Sequence, residues 1–282
     1  MNDFAAFILT HGRPNRVVTY KSLRKAGYTG DIYIIIDDED STAPDYVAKY
    51  GRQVIMFSKE HIASTFDEAD NFKDRRSIVY ARNASFEIAE QLGIKYFIQL
   101  DDDYTAFSYV FDGNLEYREV TIRNLDAIFH SMLSFYKSIP AASIAMSQGG
   151  DFIGGKKSTK AAKLSLWRKA MNTFICSTDR PFKFLGRINE DVNTYTCEAS
   201  RGMLFLSFPN VKITQRTTQS SKGGMTGIYE ASGTYVKSFY SVMMSPSSVK
   251  VKLMGDKHKR LHHSVKWDNT VPSLLNEKWR KQ

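Results

Sequence analysis

The stretch YFIQLDDD, from Tyr96 to Asp103, is a short apolar run that ends in three aspartates. Such a run is typical of a buried strand, and in an open parallel sheet ligands bind beyond the carboxyl ends of the strands. Alternate carboxylates such as Asp101 and Asp103 suit a hard divalent cation, which in turn bridges the phosphates of a nucleotide. An acidic turn that caps the next element is the alternative. Because the aspartates directly follow the buried run, we favour a ligand site.

Strands and helices alternate through the first two thirds of the chain. The runs Phe4–Leu9, Asp31–Ile36 and Val54–Phe57 predict three more strands. Apolar residues at helical spacing from Ile78 to Leu92 predict a helix, and Gly93 provides its end. Alternation of this kind predicts an α/β fold with a mixed, largely parallel sheet flanked by helices.

The rest of the chain is less regular. A hairpin is predicted from Thr105 to Val120 around Asp112-Gly113-Asn114, and a second from Met203 to Thr214 around the turn Pro209-Asn210. The segment from Gln215 to Gly233 is rich in Ser, Thr and Gly, which predicts a mobile loop.

Composition excludes several classes of protein. The 282 residues are 42% hydrophobic and 13% aromatic, which is enough for a packed core and excludes wholesale disorder. No apolar run approaches the roughly 20 residues of a membrane span, and the first residues, MNDFAAF, do not resemble a secretory signal. Two cysteines, Cys176 and Cys197, fit free thiols in a reducing compartment, so we expect a cytoplasmic protein without membrane contact. The formal net charge of +9 favours a polyanionic partner.

Two strand ends carry polar residues that suit a nucleotide. The loop after the first strand contains Thr10, Arg13 and Arg16 next to a glycine, and arginine matches phosphate geometry. The second strand ends in Asp37 and Asp38, which are suited to accept hydrogen bonds from a ribose hydroxyl or a base edge. Ordinary surface loops are an equal alternative for both.

Two polar pairs lie on predicted helices. Arg82 and Asn83 occur early in the helix that leads to the three aspartates, where the alternative is an exposed helix face. Glu190 and Asp191 follow in the sequence RINEDV, and a carboxylate can deprotonate an attacking hydroxyl within hydrogen-bond reach. The alternative for this pair is a helix N-terminus, where acidic residues are favourable.

Three of the six histidines lie in the basic stretch KHKRLHH near the end of the chain. An imidazole can complete a metal shell that carboxylates begin, whereas the alternative is a basic tail with solvated histidines. If this stretch is a strand, His262 and His263 point to opposite faces, so at most one of them faces the site.

These residues, in this order, resemble GT-A fold glycosyltransferases. Closer still is the resemblance to the phage TET-associated glycosyltransferases, relatives of the base J glucosyltransferase, in the stretches GRINEDVNTY, GTYVKSFYSVMMSPSSVKVKLMG and LHHSVKWDNTVPSLLNEKW. The resemblance implies transfer of a sugar from a nucleotide sugar, such as a UDP-sugar, to a hydroxymethylated pyrimidine, above all 5-hydroxymethylcytosine, in phage DNA. It also implies a location in the cytoplasm of the host cell.

The resemblance implies a role for each candidate residue. Asp191 is the expected base that activates the acceptor, with Glu190 beside it, and a base makes inversion at the sugar carbon the expected outcome. A divalent cation, Mn or Mg, is expected on Asp101 and Asp103 with His262 or His263. The residues expected to bind the nucleotide sugar are Thr10, Arg13, Arg16, Asp37, Asp38, Arg82, Asn83, Asp101 and Asp102. Residues 1–214 are the expected GT-A-like catalytic core, and residues 215–282 a loop and basic extension that complete the active site.

A basic segment indicates where DNA binds. No acidic residue occurs between Phe152 and Thr178, and the basic residues predicted to contact DNA phosphates are Lys156, Lys157, Lys160, Lys163 and Arg168. Aromatic residues suited to stack on a flipped base are Tyr229, Tyr235, Phe239 and Tyr240. A solvated helix and core aromatics are the alternatives. Two rival functions are a glycosyltransferase that acts on lipid or protein and a nucleic-acid-binding module without catalysis.

Overall fold

The computed structural model describes residues 3–69, 75–112, 114, 116–148, 172–215, 226–254, 259–272, 274 and 277, of which 226–234, 254 and 260 are described by their backbone only. The strands are β1 Phe4–Leu9, β2 Asp31–Asp37, β3 Val54–Phe57, β4 Tyr96–Asp101, β5 Tyr104–Phe111, β6 Tyr117–Thr121, β7 Ala141–Gln148, β8 Phe174–Ser177, β9 Leu204–Gln215, β10 Val249–Met254 and β11 Arg260–Val265. The helices are α1 Val18–Lys25, α2 Ala43–Tyr50, α3 Lys59–Ala63, α4 Val79–Gln91, α5 Leu125–Ser138, α6 Glu190–Ser200 and α7 Thr226–Met244.

Nine strands form one mixed sheet in the order β3-β2-β1-β4-β8-β7-β9-β5-β6, and β10 and β11 form a separate antiparallel pair. The first four strands in this order run parallel, as does β9 beside β7. The predicted α/β class and the predicted N-terminal strands are therefore confirmed. Since β1, β2 and β4 are parallel, their carboxyl ends meet at one edge of the sheet, where Leu9 pairs with both Ile35 and Asp101.

Both faces of this sheet are covered. Alternate residues of β1 enter different clusters: Phe4, Ala6 and Ile8 pack on the side of α1 and α5, whereas Ala5, Phe7 and Leu9 pack on the side of α4 and α6. All six residues of β1 are buried, which is why the strand reads as a continuous apolar run. The buried apolar area on both faces holds the strand ends of the site in fixed positions.

Two expectations for the second half of the chain were wrong. The residues from Met203 to Thr214 do not form a hairpin, because β9 continues through Pro209 and Asn210 as a bulge: Met146 pairs with Phe208, and the next residue, Ser147, pairs with Lys212. The predicted loop from Gln215 to Gly233 is also wrong in its second part, since Thr226 already begins α7. Tertiary packing of α7 against α6, β10 and β11 outweighs its Gly- and Ser-rich composition.

The hairpin around Asp112-Gly113-Asn114 is confirmed as β5 and β6, which pair antiparallel. Among the described residues, no helix has the length and apolar character that crossing a membrane requires. The division of the chain at residue 214 stays a prediction.

Candidate active site

One buried arginine joins the two acidic segments that the sequence singles out. Arg82, on α4, donates from Nη2 to Oδ1 of Asp101 and from Nε to Oε1 of Glu190, both at 3.0 Å. Its side chain is only 2% exposed and lies over the rings of Phe174 and Phe184. The end of β4 and the start of α6 are thereby brought together around a single guanidinium.

Neighbouring contacts fix the position of Arg82. The amide of Gln99, on β4, donates from Nε2 to the backbone carbonyl of Arg82 at 2.9 Å. Asn83 Nδ2 donates to the carbonyl of Phe184, and the Phe184 N–H donates to Asn83 Oδ1. Asn83 is fully buried, so its amide holds α4 to the segment that leads to α6 and is engaged within the protein. The exposed helix face that was the alternative reading of Arg82 and Asn83 is wrong.

Negative charge exceeds positive charge around Asp101. Burial, together with the carboxylates of Asp103 and Glu190, raises the pKa of Asp101 to about 7 against the opposing effect of Arg82. A carboxylate that remains hard to ionise beside an arginine lies where an additional cation is favourable. The oxygen-rich donors Asp101 and Asp103 therefore fit a hard divalent cation. Asp103 lies in the turn after β4.

Asp191 and Glu190 differ in their surroundings although they are adjacent. Burial and the charge of Glu190 raise the pKa of Asp191 to about 6, while Arg82 and Lys237 act in the opposite direction. Glu190 is held by the guanidinium of Arg82. A pKa of about 6 suits Asp191 to act as a general base near neutral pH.

Asp102 points away from this cluster and back toward α1. Its carboxylate accepts from Thr10 Oγ1 at 2.7 Å and from Arg13 Nη1 at 3.4 Å, and its backbone carbonyl accepts from the first residues of α1. Thr10 also contacts the hydroxyl of Tyr46 at 2.9 Å. These contacts hold the loop after β1 against the end of β4, and nucleotide-sugar binding by Thr10 and Asp102 stays a prediction. Arg16 is exposed in a turn just before α1.

The residues at the end of β2 form a second polar cluster. Buried Asp37 contacts Lys59 Nζ and His11 Nδ1, both at 2.8 Å, and Lys59 is itself only 4% exposed. Burial tends to raise the pKa of Asp37, but the hydrogen bonds from His11 and Lys59 outweigh it and leave the pKa below its ordinary value. Asp38 is exposed and accepts from the backbone N–H of Lys59.

The late histidines lie on β11, as the strand reading requires. His262 pairs with Lys252 and His263 with Val251, so the two side chains leave β11 on opposite faces, yet their rings lie together with centroids 4.4 Å apart. Burial, together with the charges of His262 and Lys237, lowers the pKa of His263 to about 4. Within the described part of the chain, no three His, Cys, Asp or Glu side chains are grouped as a metal site would need, so the complete metal shell stays a prediction.

The predicted DNA-contacting residues Lys156, Lys157, Lys160, Lys163 and Arg168 lie outside the described residues. Of the predicted base-stacking aromatics, Tyr240 is buried and structural, whereas Tyr235 is 57% exposed and stacks on Phe239 at 4.4 Å. The side chain of Tyr229 is not described.

Sequence reasoning missed the residues that position the start of α6. Asn189 has a left-handed backbone with φ of 53°, and its Nδ2 donates to the carbonyl of Lys237 and to Ser241 Oγ on α7. The hydroxyl of Tyr240, also on α7, accepts from the backbone N–H of Arg187. Gly186 has φ of 74°, and a Cβ there would lie 2.8 Å from the Tyr240 ring. The signal in the sequence was an asparagine, a residue that tolerates the left-handed conformation, directly before an acidic pair.

The sequence matches a family model, described as TET-associated glycosyltransferase, over residues 4–224. The chain belongs to the TET-associated glycosyltransferase family. It is therefore an enzyme, and the matched range contains Asp101, Arg82, Glu190 and Asp191. No curated protein matches the chain.

Several solved glycosyltransferase structures are similar at low identity. Glucosyl-3-phosphoglycerate synthase from Mycobacterium tuberculosis, solved with Mn2+, UDP and phosphoglyceric acid, is 8% identical over 93% of this chain and 86% of that one, with a TM-score of 0.48. The same enzyme with Mn2+ and UDP-glucose is 9% identical over 93% and 86%, with a TM-score of 0.46. TarS from S. aureus, residues 1–349, is 11% identical over 74% of this chain and 60% of that one, with a TM-score of 0.42.

Proposed function

We propose that this glycosyltransferase moves a sugar from a UDP-sugar to the hydroxymethyl group of 5-hydroxymethylcytosine in phage DNA, with inversion at the sugar carbon. The observation that carries the proposal is the Arg82 bridge, which joins the acidic end of β4 to the Glu190–Asp191 pair. A donor-side carboxylate group and an acceptor-side base within one buried network are what transfer from a nucleotide sugar requires. Membership of the TET-associated glycosyltransferase family supports the choice of acceptor.

Asp101 and Asp103 are the proposed ligands of a divalent cation, Mn2+ or Mg2+. The raised pKa of Asp101, caused by burial and by Asp103 and Glu190, supports this assignment. When bound, such a cation supplies positive charge that stabilises the departing diphosphate. His263 is the proposed histidine ligand, because its lowered pKa favours the neutral imidazole that metals bind.

Asp191 is the proposed general base. Its carboxylate takes the proton of the hydroxymethyl group while the hydroxymethyl oxygen bonds to the anomeric carbon and the bond from that carbon to the diphosphate oxygen breaks. Glu190 stays paired with Arg82 and thus holds the start of α6 against the end of β4. Attack from the side of the base, opposite to the diphosphate, inverts the anomeric carbon.

A base in duplex DNA must leave the stack to reach this carboxylate. Exposed Tyr235, stacked on Phe239, is a proposed platform for that base, since stacking on an aromatic ring stabilises an unpaired base by about 1–3 kcal/mol. The basic residues from Lys156 to Arg168 remain the proposed phosphate contacts of the middle segment. A lipid or protein acceptor explains the donor residues equally well but leaves the net charge of +9 without a role.

Mass spectrometry after incubation with a panel of UDP-sugars tests the proposal. Three substrates are compared: unmodified DNA, DNA with 5-hydroxymethylcytosine and DNA with 5-hydroxymethyluracil. A hexose or pentose mass added only to hydroxymethylated DNA supports the acceptor, and the Asp191→Asn variant serves as the inactive control. Donor hydrolysis without any transfer to either hydroxymethylated DNA would contradict it and favour a lipid or protein acceptor.

A further inference from the structure

The strand pair of β10 and β11 has one basic face and one face directed at the protein. In the antiparallel register Lys250 lies opposite Ser264 and Lys252 opposite His262, so these four side chains share one face. Val249 opposite Val265, and Val251 opposite His263, occupy the other face. Val249 is fully buried and Val265 packs against the core, whereas Lys250 and Lys252 are exposed. The basic face is therefore the outer face of the pair.

The strand pair is fixed to the helix that carries the proposed base. Trp267, two residues after β11, stacks on Tyr195 of α6 with ring centroids 5.6 Å apart and an interplanar angle of 24°. Tyr195 follows Asp191 by four residues, so it lies one helical turn away on the same face of α6. The N–H of Lys266 also donates to the carbonyl of Ser248 at 2.6 Å. These contacts hold the basic face at a set position relative to Asp191.

Positive charge predominates in this region, whose single acidic residue, Asp256, lies outside the described residues. Between Ser245 and Trp267, the described residues include Lys250, Lys252, Lys259 and Lys266, all exposed, and no aspartate or glutamate. The described residues of the outer face include no carboxylate, so a polyanion can approach its lysines together. The pair forms its own two-stranded sheet in the described part of the chain, with one face packed on the protein and the outer face exposed.

We propose that the outer face of β10 and β11 binds the phosphate backbone of duplex DNA and holds the acceptor next to α6. Lys250 and Lys252 are the principal phosphate contacts, and His262 lies opposite Lys252. This inference rests on the proposed function, because DNA is the acceptor there. It adds a surface distinct from the basic segment around Lys160.

Salt-dependent DNA binding of the full chain tests the inference. The variant Lys250→Glu with Lys252→Glu is compared with Lys21→Glu with Lys25→Glu, which makes the same charge change at two exposed lysines of α1. Fluorescence anisotropy measures Kd for a duplex with 5-hydroxymethylcytosine between 50 and 200 mM salt. Each phosphate contact contributes about 0.9 to the slope of log Kd against log salt, so the β10 variant should lose about two units of slope and the α1 variant none. Hydrolysis of the UDP-sugar in the absence of DNA should be unchanged in both.

The outcomes separate this inference from the proposed function. Equal slopes for wild type and the β10 variant, or equal losses in both variants, overturn the DNA-binding face. A raised KM for the UDP-sugar with an unchanged DNA slope also overturns it and assigns the lysines to the donor diphosphate. Wild-type binding with the expected slopes but no glycosylated product supports the face and contradicts the proposed acceptor. If wild type binds no DNA, both fail.

Discussion

Two clusters of carboxylates lie at the same edge of the sheet and differ in how their charge is balanced. At the end of β2, Asp37 is paired with the cation of Lys59 and hydrogen-bonded to His11, and its pKa lies below the ordinary value although burial opposes this. At the end of β4, Arg82 serves both Asp101 and Glu190, and the pKa of Asp101 is raised to about 7. The protein itself balances the charge of Asp37, and we call Asp37, Lys59 and His11 the closed cluster. Negative charge remains in excess around Asp101, and we call Asp101, Arg82 and Glu190 the open cluster.

This contrast separates structural from chemical roles better than residue type does. Aspartates at strand ends look alike in the sequence, yet a carboxylate that its own protein neutralises stabilises the fold. A carboxylate whose pKa stays raised is instead ready to receive a cation or a proton. The predictions below remove one member of each cluster and compare turnover with stability.

The largest effect is expected at the open cluster. Asp101→Ala should reduce transfer at least about ten-thousandfold, because the cation that offsets the departing diphosphate contributes several kcal/mol and its principal ligand is lost. Asp103→Ala should act in the same direction, and an excess of chelator should reproduce both. Steady-state transfer assays measure this, with exposed Asp45→Ala as a matched control of unchanged rate. Full activity in excess chelator would exclude the metal role of these aspartates.

The second-largest loss of transfer activity is expected for Asp191→Asn. The amide keeps the size and shape of the side chain but takes no proton, and general-base catalysis contributes about a hundredfold to ten-thousandfold. The value of kcat should fall within that range, while donor affinity by calorimetry stays within a few-fold of wild type. The matched Glu190→Gln variant, which still accepts a hydrogen bond from Arg82, should lose less. Undiminished transfer by Asp191→Asn would remove Asp191 from the mechanism.

The sequence was informative about the strand ends but not about their partners. Continuous apolar runs predicted β1, β2 and β4, and their parallel order placed Leu9, Asp37 and Asp101 at one edge. The ion pair between Lys59 and Asp37 could not be predicted, because Lys59 lies on α3. This helix has five residues and is too short to give a periodic signal in the sequence. The sequence made Arg82 a candidate ligand contact but did not predict its burial. Arg82 is buried because the segment around Phe184 covers α4. Such contacts between distant segments leave no local pattern.

The same limit explains the errors in the second half of the chain. Pro209 and Asn210 are typical turn residues, yet β9 continues past them because β7 and β5 pair with it on both sides. The composition before Gly233 favours a loop, whereas packing on α6 and β11 makes Thr226–Met244 helical. Since α7 supplies Lys237 and the contacts of Asn189, this error also hid residues next to the proposed base.

In the closed cluster the expected loss is in stability. Lys59→Met removes the cation paired with buried Asp37 and leaves its hydrogen bond to His11, and breaking a buried ion pair costs about 3–5 kcal/mol of unfolding free energy. Urea denaturation measures this change, and Lys21→Met, at an exposed site, should change stability by less than about 0.5 kcal/mol. Asp191→Asn should cost less than Lys59→Met. A larger loss of stability in Asp191→Asn than in Lys59→Met would contradict the distinction between the two clusters.

The smallest and most specific effect concerns pH. A base must be ionised, so kcat/KM should fall about tenfold per pH unit as the pH drops below the pKa of Asp191, which burial and Glu190 raise to about 6. Glu190→Gln removes the second of these causes, so the acidic limb should move to lower pH. Burial remains, and the limb should stay above the ordinary range of an aspartate.

Lys237→Met should move the same limb in the opposite direction, because Lys237 lowers the pKa of Asp191 and its removal disfavours the ionised form. Each shift should be a fraction of a pH unit to about one unit, measured as kcat/KM from pH 5 to 8 at one fixed concentration of divalent cation. A structural role alone would scale the whole profile without displacing it. Glu190→Gln removes a negative charge near Asp191, and Lys237→Met removes a positive one. The acidic limb therefore moves in opposite directions in the two variants only if it reports the pKa of Asp191. Parallel shifts in both variants would therefore assign the acidic limb to a group other than Asp191.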